Sequence, residues 1–475
     1  MKLSSGNGNK IERVREYVRY DIKKRHIFNF HLKIYILLFV LLLISPYLFY
    51  HYVANHFYYS NIYDILWYSI LSYIKYIWIL YAPIVILIAV GIIDFGKNIR
   101  LETEIRNNSV DYKVIFQITT RGFNIEALRM SVESIDFWAP RYFGNEGYET
   151  WIVTEEPDRK REFEKYLLKN IKGYVRIVYV PKEYVTQKHA LHKARALNYV
   201  LNLRRKEGMI SDKLWVYLMD EESIVGEDTV LSIRKFIDTF SQHNMLVSQG
   251  IVVYSNLMHY GTVTAAGEGI RPVWELGTEY IPSKYFGSKF SWKGSHLLFR
   301  SDLEDRVGWD INVFGDDLVF GLKAQELSKV GFLEGFLYEQ HPFTYRESVR
   351  QKIRWYKNII DIFLRYRPLK IYWRLMLFIE LMIWHASLFG LFLWMVANPL
   401  DPLFLSLFLI TYLNTIYGIE LNCHFASCSR LSKIKKYVLV LVSLFVIAIS
   451  PWIGIIEYIR DMKKGRVSEF YVVKK

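Results

Sequence analysis

Five long apolar runs, set toward the two ends of the chain, constrain this sequence more than any other feature. They are Ile34 to Tyr52, Tyr76 to Ile93, Leu375 to Ala397, Leu403 to Leu421 and Tyr437 to Ile456. Each has roughly the 20-residue length that a bilayer core demands. Between them lies a long polar middle, from about Asp94 to Pro368. The pattern predicts an integral membrane protein with one soluble domain. The first run is not a cleavable signal, because a long basic arm precedes it and no small-residue cleavage site follows.

The chain therefore divides into four segments: a basic arm over 1–33, two transmembrane helices with an aromatic interfacial segment over 34–93, a soluble domain over 94–368 ending in an interfacial helix, and two or three transmembrane helices, a basic loop and a tail over 369–475. Basic residues set the orientation. Lys10, Arg13, Arg15, Arg19, Lys23, Lys24, Arg25 and Lys33 precede the first run. They predict a cytosolic N-terminus, and two crossings then return the middle domain to the cytosol. Which organelle or plasma membrane holds it stays open. The net charge of +14 sits largely beside the apolar runs, where anionic lipid headgroups are the simpler partner and nucleic acid is not required. Cys423 and Cys428 are expected to be plain loop residues, since a disulfide is disfavoured on a reducing face.

Within the middle domain, apolar runs alternate with helical patterns. "KVIFQITT", "YETWIVTEE", "VRIVYVP" and "KLWVYLMDEE" read as strands, each followed by a stretch of helical spacing. This alternation predicts an open, mostly parallel α/β sheet with helices on both faces, and such sheets bind ligands outside the carboxyl ends of their strands. Neither GxGxxG after a strand nor GxxxxGK[ST] occurs, so hydride transfer and P-loop hydrolysis are disfavoured.

Three acids, Asp220, Glu221 and Glu222, end the fourth strand, and Glu155 ends the second. Asp220 and Glu222 with diphosphate oxygens would make a hard-oxygen site for Mg²⁺ or Mn²⁺. The same residues also suit a solvated helix N-terminus. Asp316 and Asp317 open a predicted helix, as caps or as a pair in which one carboxylate is a general base. Gln351, Arg354 and Trp355 share a face of another helix, suited to phosphate binding and stacking or to a membrane surface.

An acid cluster, an acidic pair opening a helix and Q-x-x-R-W before apolar spans together resemble the membrane-embedded family 2 glycosyltransferases, the clan of hyaluronan and cellulose synthases. "HKARALN" and "GSHLLFR" look like further elements of that family. "VPKEYVTQKHALHKARALNY", "DEES", "FSWKGS" and "EGFLYEQHPFT" are similar, in order, to segments of its Egghead-type β-1,4-mannosyltransferases. The resemblance implies a GT-A fold, a nucleotide-diphospho-sugar donor and inverting transfer to a lipid-linked sugar acceptor. It implies Glu155 at the nucleotide, Lys193 at the donor phosphates, Asp220 and Glu222 on the metal, and Asp317 as base. Gln351, Arg354 and Trp355 would close over the diphosphate and the acceptor end, with Trp292, Gly294 and Ser295 on the acceptor side. The expected donor is GDP-mannose. A processive synthase using a UDP-sugar and a polyprenyl-phosphate transferase are the alternatives. The sequence departs from the family in having Asp-Asp for Glu-Asp, Glu155 for Asp, and Asp-Glu-Glu for a strict DxD.

Overall fold

The computed structural model describes residues 21–56, 81–98, 110–122, 124–155, 164, 171, 173–240, 243–254, 268–342, 344–383, 402–425 and 433–465. The aromatic stretch 57–76, the charged helix expected over 159–169 and Cys428 lie outside the described residues or almost wholly so. In chain order the helices used below are α1 (Asp21–His56), α2 (Ala82–Asn98), α3 (Ile125–Phe143), α4 (His192–Lys206), α5 (Glu227–Phe240), α6 (Ile270–Glu275), α7 (Ser301–Val307), α8 (Asp316–Leu327), α9 (Tyr345–Arg365), α10 (Pro402–Phe425) and α11 (Lys433–Lys463). The strands are β1 (Lys113–Thr120), β2 (Tyr148–Thr154), β3 (Val175–Tyr179), β4 (Leu214–Asp220), β5 (Ile224–Val225), β6 (Val247–Tyr254), β7 (Leu297–Arg300) and β8 (Val330–Glu339).

The chain forms two compact units. One comprises Met1–Arg25, Ile99–Leu257 and Pro282–Gln340, and the other His26–Asn98, Met258–Ile281 and His341–Lys475. The soluble segment expected over 94–368 contributes to both.

The first unit holds an eight-stranded sheet in the order β3-β2-β1-β4-β7-β6-β8-β5. The four strands read from sequence form its parallel half, β3-β2-β1-β4. Most of its strands share one direction, as expected, but the sheet is mixed. β7 runs antiparallel to both β4 and β6, and β5 antiparallel to β8, while β6 and β8 are parallel. Every residue of β6 is buried, as are all of β4 but Asp220, and the β4 run is accordingly apolar on both faces rather than alternating.

Local chemistry starts and stops the helices. Asn124 accepts a hydrogen bond from the Ala127 amide at the start of α3, satisfying one of the first-turn donors. Gly144, at φ 68°, ends it. The helix expected from Lys188 starts at His192, because His189 and His192 take φ values of 57° and 47°. Left-handed backbone at two non-glycine residues costs free energy that the surrounding contacts must offset.

In the second unit, Tyr81, Val85, Leu407 and Ile410 form a buried apolar cluster. Tyr35 donates to Asn414 Oδ1 at 2.5 Å, and Asn414 donates to the Val85 carbonyl at 3.3 Å, so one amide ties α1, α2 and α10. Gly91 lets α2 close onto the Leu276 backbone, where a Cβ would lie 2.3 Å from a carbonyl oxygen. The α9 start carries Thr344 and Glu347, and the Thr344 hydroxyl accepts from the Glu347 amide at 3.2 Å. Among the described residues, no helix is long and apolar enough to cross a membrane; α1 nevertheless carries a run of largely apolar side chains over 34–48. Leu37, Leu41, Ile44 and Leu48 of that stretch are exposed.

Candidate active site

The first unit gathers charged groups at the carboxyl ends of β1, β2 and β4. The three acids do not open a helix: Asp220 closes β4, a turn follows in which the Ser223 amide donates to the Asp220 carbonyl at 3.1 Å, and β5 intervenes before α5. Helix capping therefore does not account for them. The turn also sends them to different partners. Asp220 accepts from Lys193 Nζ at 2.6 Å. Glu221 accepts from the Thr120 hydroxyl, which in turn accepts from the Gly122 amide at 2.7 Å. Burial raises the Glu221 carboxyl to about 7, against the Thr120 bond and with added repulsion from Glu222 and Asp220. Glu222 is half-buried beside it.

Lys193 sits in the first turn of α4 and also donates to the Gly294 carbonyl at 2.9 Å. Burial works against its charge, but Asp220, Asp316 and Asp317 outweigh that and hold its pKa above the ordinary lysine value. Gly294 is the point of closest approach. A Cβ there would lie 2.8 Å from Lys193 Nζ and 3.2 Å from Asp317 Oδ2. Gly294→Ala is therefore expected to push Lys193 away from Asp220, with little change in Tm. A structure of the variant alongside a thermal melt checks this, and an unchanged contact between Lys193 and Asp220 would show that the approach is not needed.

Asp316 and Asp317 occupy the first turn of α8, preceded by Gly315 at φ 86° with no side-chain cap. Asp317 Oδ1 accepts from the Leu318 amide at 2.9 Å. Asp316 Oδ2 is buried without a hydrogen-bond partner among the described residues. Burial, then the Asp317 charge, raises Asp316 to about 7, while Lys193 pulls it down. The pair is thus split by environment: the proton is held most readily on the buried member.

Glu155 pairs with Arg195 Nε at 2.8 Å, and Arg195 also donates to the Tyr184 carbonyl at 2.8 Å. Arg121, just past β1, donates to His192 Nδ1 at 2.7 Å. His192 stacks on Phe314, and burial with the Arg121 charge lowers its pKa. Arg121, His192 and Arg195 went unread in the sequence; their signal was position, at a strand end and in the turn that carries Lys193.

On the remaining side, Trp292 is buried against Gly321, where a Cβ would meet the indole at 2.0 Å. Its Nε1 has no hydrogen-bond partner among the described residues. Ser295 donates to Glu339 Oε1 at 2.5 Å, a carboxylate at the end of β8 also missed from sequence. His296 is fully buried and serves the same turn. Its Nδ1 faces the Tyr217 hydroxyl at 2.8 Å and its Nε2 the Gly335 carbonyl at 2.9 Å. That pattern suits one neutral tautomer, and burial lowers its pKa to about 3.

Gln351, Arg354 and Trp355 lie on α9 of the second unit. Gln351 is buried and its Oε1 has no hydrogen-bond partner among the described residues. The Arg271 guanidinium lies 5.7 Å from the Trp355 ring centroid. Lys352, between them, forms a buried ion pair with Glu268, which also accepts from Ser348 at 2.5 Å.

Among the described residues, no group of three His, Cys, Asp or Glu side chains is placed to hold a metal. Asp220 and Glu222 offer two carboxylates. That donor set fits a hard divalent cation completed by substrate phosphate oxygens rather than a cage made by protein alone.

Residues 215–419 match the family described as Glycosyl transferase family group 2. The matched stretch is thus similar to that family over somewhat less than half of the chain. It contains Asp220, Glu222, Trp292, Gly294, Ser295, Asp317, Gln351, Arg354 and Trp355, while Glu155 and Lys193 precede it. The chain is 31% identical over 191 residues to the β-1,4-mannosyltransferase egh of Drosophila melanogaster, covering 39% of this chain and 41% of that protein. It is 28% identical to the β-1,4-mannosyltransferase bre-3 of Caenorhabditis elegans over the same shares. The chain thus spans about two-fifths of the length of the curated relatives it matches. Among solved structures, the mannosyltransferase PcManGT from Pyrobaculum calidifontis, in complex with GDP-Man and Mn²⁺, aligns at a TM-score of 0.41 and 14% identity over 78% of this chain and 99% of that one.

Proposed function

We propose that the chain is a metal-dependent, inverting hexosyltransferase that moves mannose from GDP-mannose to a hydroxyl of a membrane glycolipid, giving a β-linked product. The observation that carries the reading is the convergence on Gly294 of Lys193, ion-paired with Asp220, and of Asp317, in a chain whose residues 215–419 match the Glycosyl transferase family group 2 description. The names of the relatives, both β-1,4-mannosyltransferases, support the choice of sugar.

In this reading Asp317 takes the proton of the acceptor hydroxyl as its oxygen attacks the anomeric carbon. The bond from that carbon to the diphosphate oxygen breaks, and its electron pair leaves with the nucleoside diphosphate. Attack from the opposite face inverts the centre. Lys193 faces the developing negative charge. Mn²⁺ or Mg²⁺ on Asp220 and Glu222 would neutralise the leaving group. Glu155 and Arg195 line the nucleotide side. Trp292, Gly294 and Ser295 form the acceptor side, Trp292 from beneath.

The apolar runs are assigned to membrane spans, with the N-terminus and catalytic unit in the cytosol, so that the acceptor arrives from the bilayer. The exposed apolar side chains of α1 support this assignment.

The test is transfer by the full chain in lipid nanodiscs, with labelled GDP- and UDP-sugars and a glycolipid acceptor. One mannose added to a neutral glycolipid is expected, abolished by EDTA and restored by Mn²⁺ or Mg²⁺. Long polymer from a UDP-sugar would reassign the chain to processive synthesis. A product cleaved by mild acid would mark a glycosyl phosphate instead.

A further inference from the structure

We propose that the aromatic corner from Tyr285 to Phe290 is a bilayer-contacting element of the first unit, which brings an anionic lipid surface to the acceptor side of the site. The functional half of this inference rests on the transferase reading; the lipid contact itself does not.

The short helix Ile281–Phe286 ends at Gly287, whose φ of 62° turns the chain sharply. Large apolar side chains then stand in solvent on both sides of the turn. Tyr285 is 57% exposed, Phe286 77%, Phe290 44%, and Leu327 42%. They are neighbours in space as well as sequence. The Gly287 carbonyl accepts from the Val330 amide at 2.8 Å, and the Lys289 amide donates to Gln325 Oε1 at 2.9 Å. The turn is therefore pinned along 325–330. Single exposed apolar residues are ordinary on a protein surface, but a contiguous group held out by a hydrogen-bonded turn marks a contact.

The rim indicates the partner. Lys284 places its ammonium 5.1 Å from the Tyr285 ring centroid, and Lys329 is exposed where its side chain runs beside Gly287. Glu326 is the exposed acid nearby. Aromatic rings flanked by lysines suit the boundary between acyl chains and negatively charged headgroups, where the rings enter and the ammonium groups stay among phosphates. A second copy of the chain fits less well, because pairing this patch with itself about a two-fold axis would set lysine against lysine.

The position also suits the acceptor. Phe290 stands two residues before Trp292 and four before Gly294, whose carbonyl holds Lys193. A lipid-linked sugar reaching Asp317 would leave its lipid near this corner.

The experiment places a nitroxide at Phe286→Cys, with Cys423 and Cys428 changed to Ser, in the full chain in phosphatidylcholine discs with and without phosphatidylserine. A label at Lys206→Cys, exposed on α4, is the aqueous reference. Power saturation is expected to show the Phe286 label open to oxygen and shielded from a water-soluble nickel chelate, the reverse of the reference. Changing Lys284 and Lys329 to Gln should weaken the contact in anionic discs by about fivefold per lysine. Nickel access equal to the reference in both compositions would overturn the proposal. So would shielding from both reagents with dipolar coupling between labels, which would assign the patch to a second copy. If the chain does not enter discs, the same label read with added phosphatidylserine vesicles decides the lipid contact without the span assignment. In active protein, a Tyr285→Ser/Phe286→Ser variant should raise KM for lipid-linked acceptor and leave KM for the donor unchanged. Absence of transfer in the unaltered chain would instead count against the transferase reading, with the label result standing.

Discussion

Replacing Asp317 by Asn is expected to lower the transfer rate by about 10²–10⁴-fold, the range lost when a positioned general base is removed. Nucleotide affinity should hardly change, because the carboxylate lies against Gly294 and not in the Glu155–Arg195 part of the site. The amide keeps the size and can still accept the Leu318 N–H, now seen at 2.9 Å, so α8 keeps its first turn. Asp316→Asn is the informative companion. Asp316 is buried, with one oxygen lacking a hydrogen-bond partner among the described residues and a carboxyl raised to about 7. A neutral amide there resembles its protonated form, so activity should fall far less. The measurement is initial rate at saturating donor, together with nucleotide binding, for both variants. Equal losses would mean that the pair acts as one unit or that the base is Asp316. Full activity in Asp317→Asn would remove Asp317 from the chemistry.

The sequence disclosed the parallel half of the sheet because β1 to β4 are apolar runs, most followed by a helical stretch. It did not disclose β6, β7 and β8. β7 has four residues, β6 carries Gln249 and Gly250 in its middle, and β8 contains Glu334 and Gly335. Those polar and glycine positions have tertiary causes. Gln249 reaches the Lys293 and Ser295 carbonyls, and Gly250 leaves room for His296, which a Cβ would meet at 2.2 Å. Charge at strand ends was legible, since Asp220, Glu155 and Asp317 stand out against apolar surroundings. Their partners were not. Arg195 and Glu155 are 40 residues apart, and Ser295 and Glu339 are 44, and no local periodicity encodes such pairs.

The second large effect is on stability, and it tests what aims Lys193. At the far end of α4, Arg204 is fully buried and donates to Gln117 Oε1 at 2.6 Å and to Glu304 Oε2 at 2.5 Å. Glu304, also fully buried, accepts from Trp309 Nε1 at 2.8 Å through its other oxygen. One network thus fastens α4 to β1 and α7. Removing one member leaves the other charge in a dry interior, which costs about 3–5 kcal/mol. Arg204→Met or Glu304→Leu should therefore lower the Tm of the first unit by roughly 6–20 °C. The double variant should lose much less than the sum, because no buried charge remains, although Gln117 and Trp309 each give up a partner at about 1–3 kcal/mol. Thermal melts of the three variants in discs measure the coupling. A single variant that melts within a degree or two of the unaltered chain would show the pair to be dispensable. The functional consequence follows from geometry: Arg204 lies 11 residues, about three turns, beyond Lys193 on the same helix. An α4 that has lost its far anchor can tilt, and the 2.6 Å contact between Lys193 and Asp220 is the first to lengthen. Donor affinity should then fall at temperatures well below the melt, whereas a purely structural role would leave it intact until unfolding.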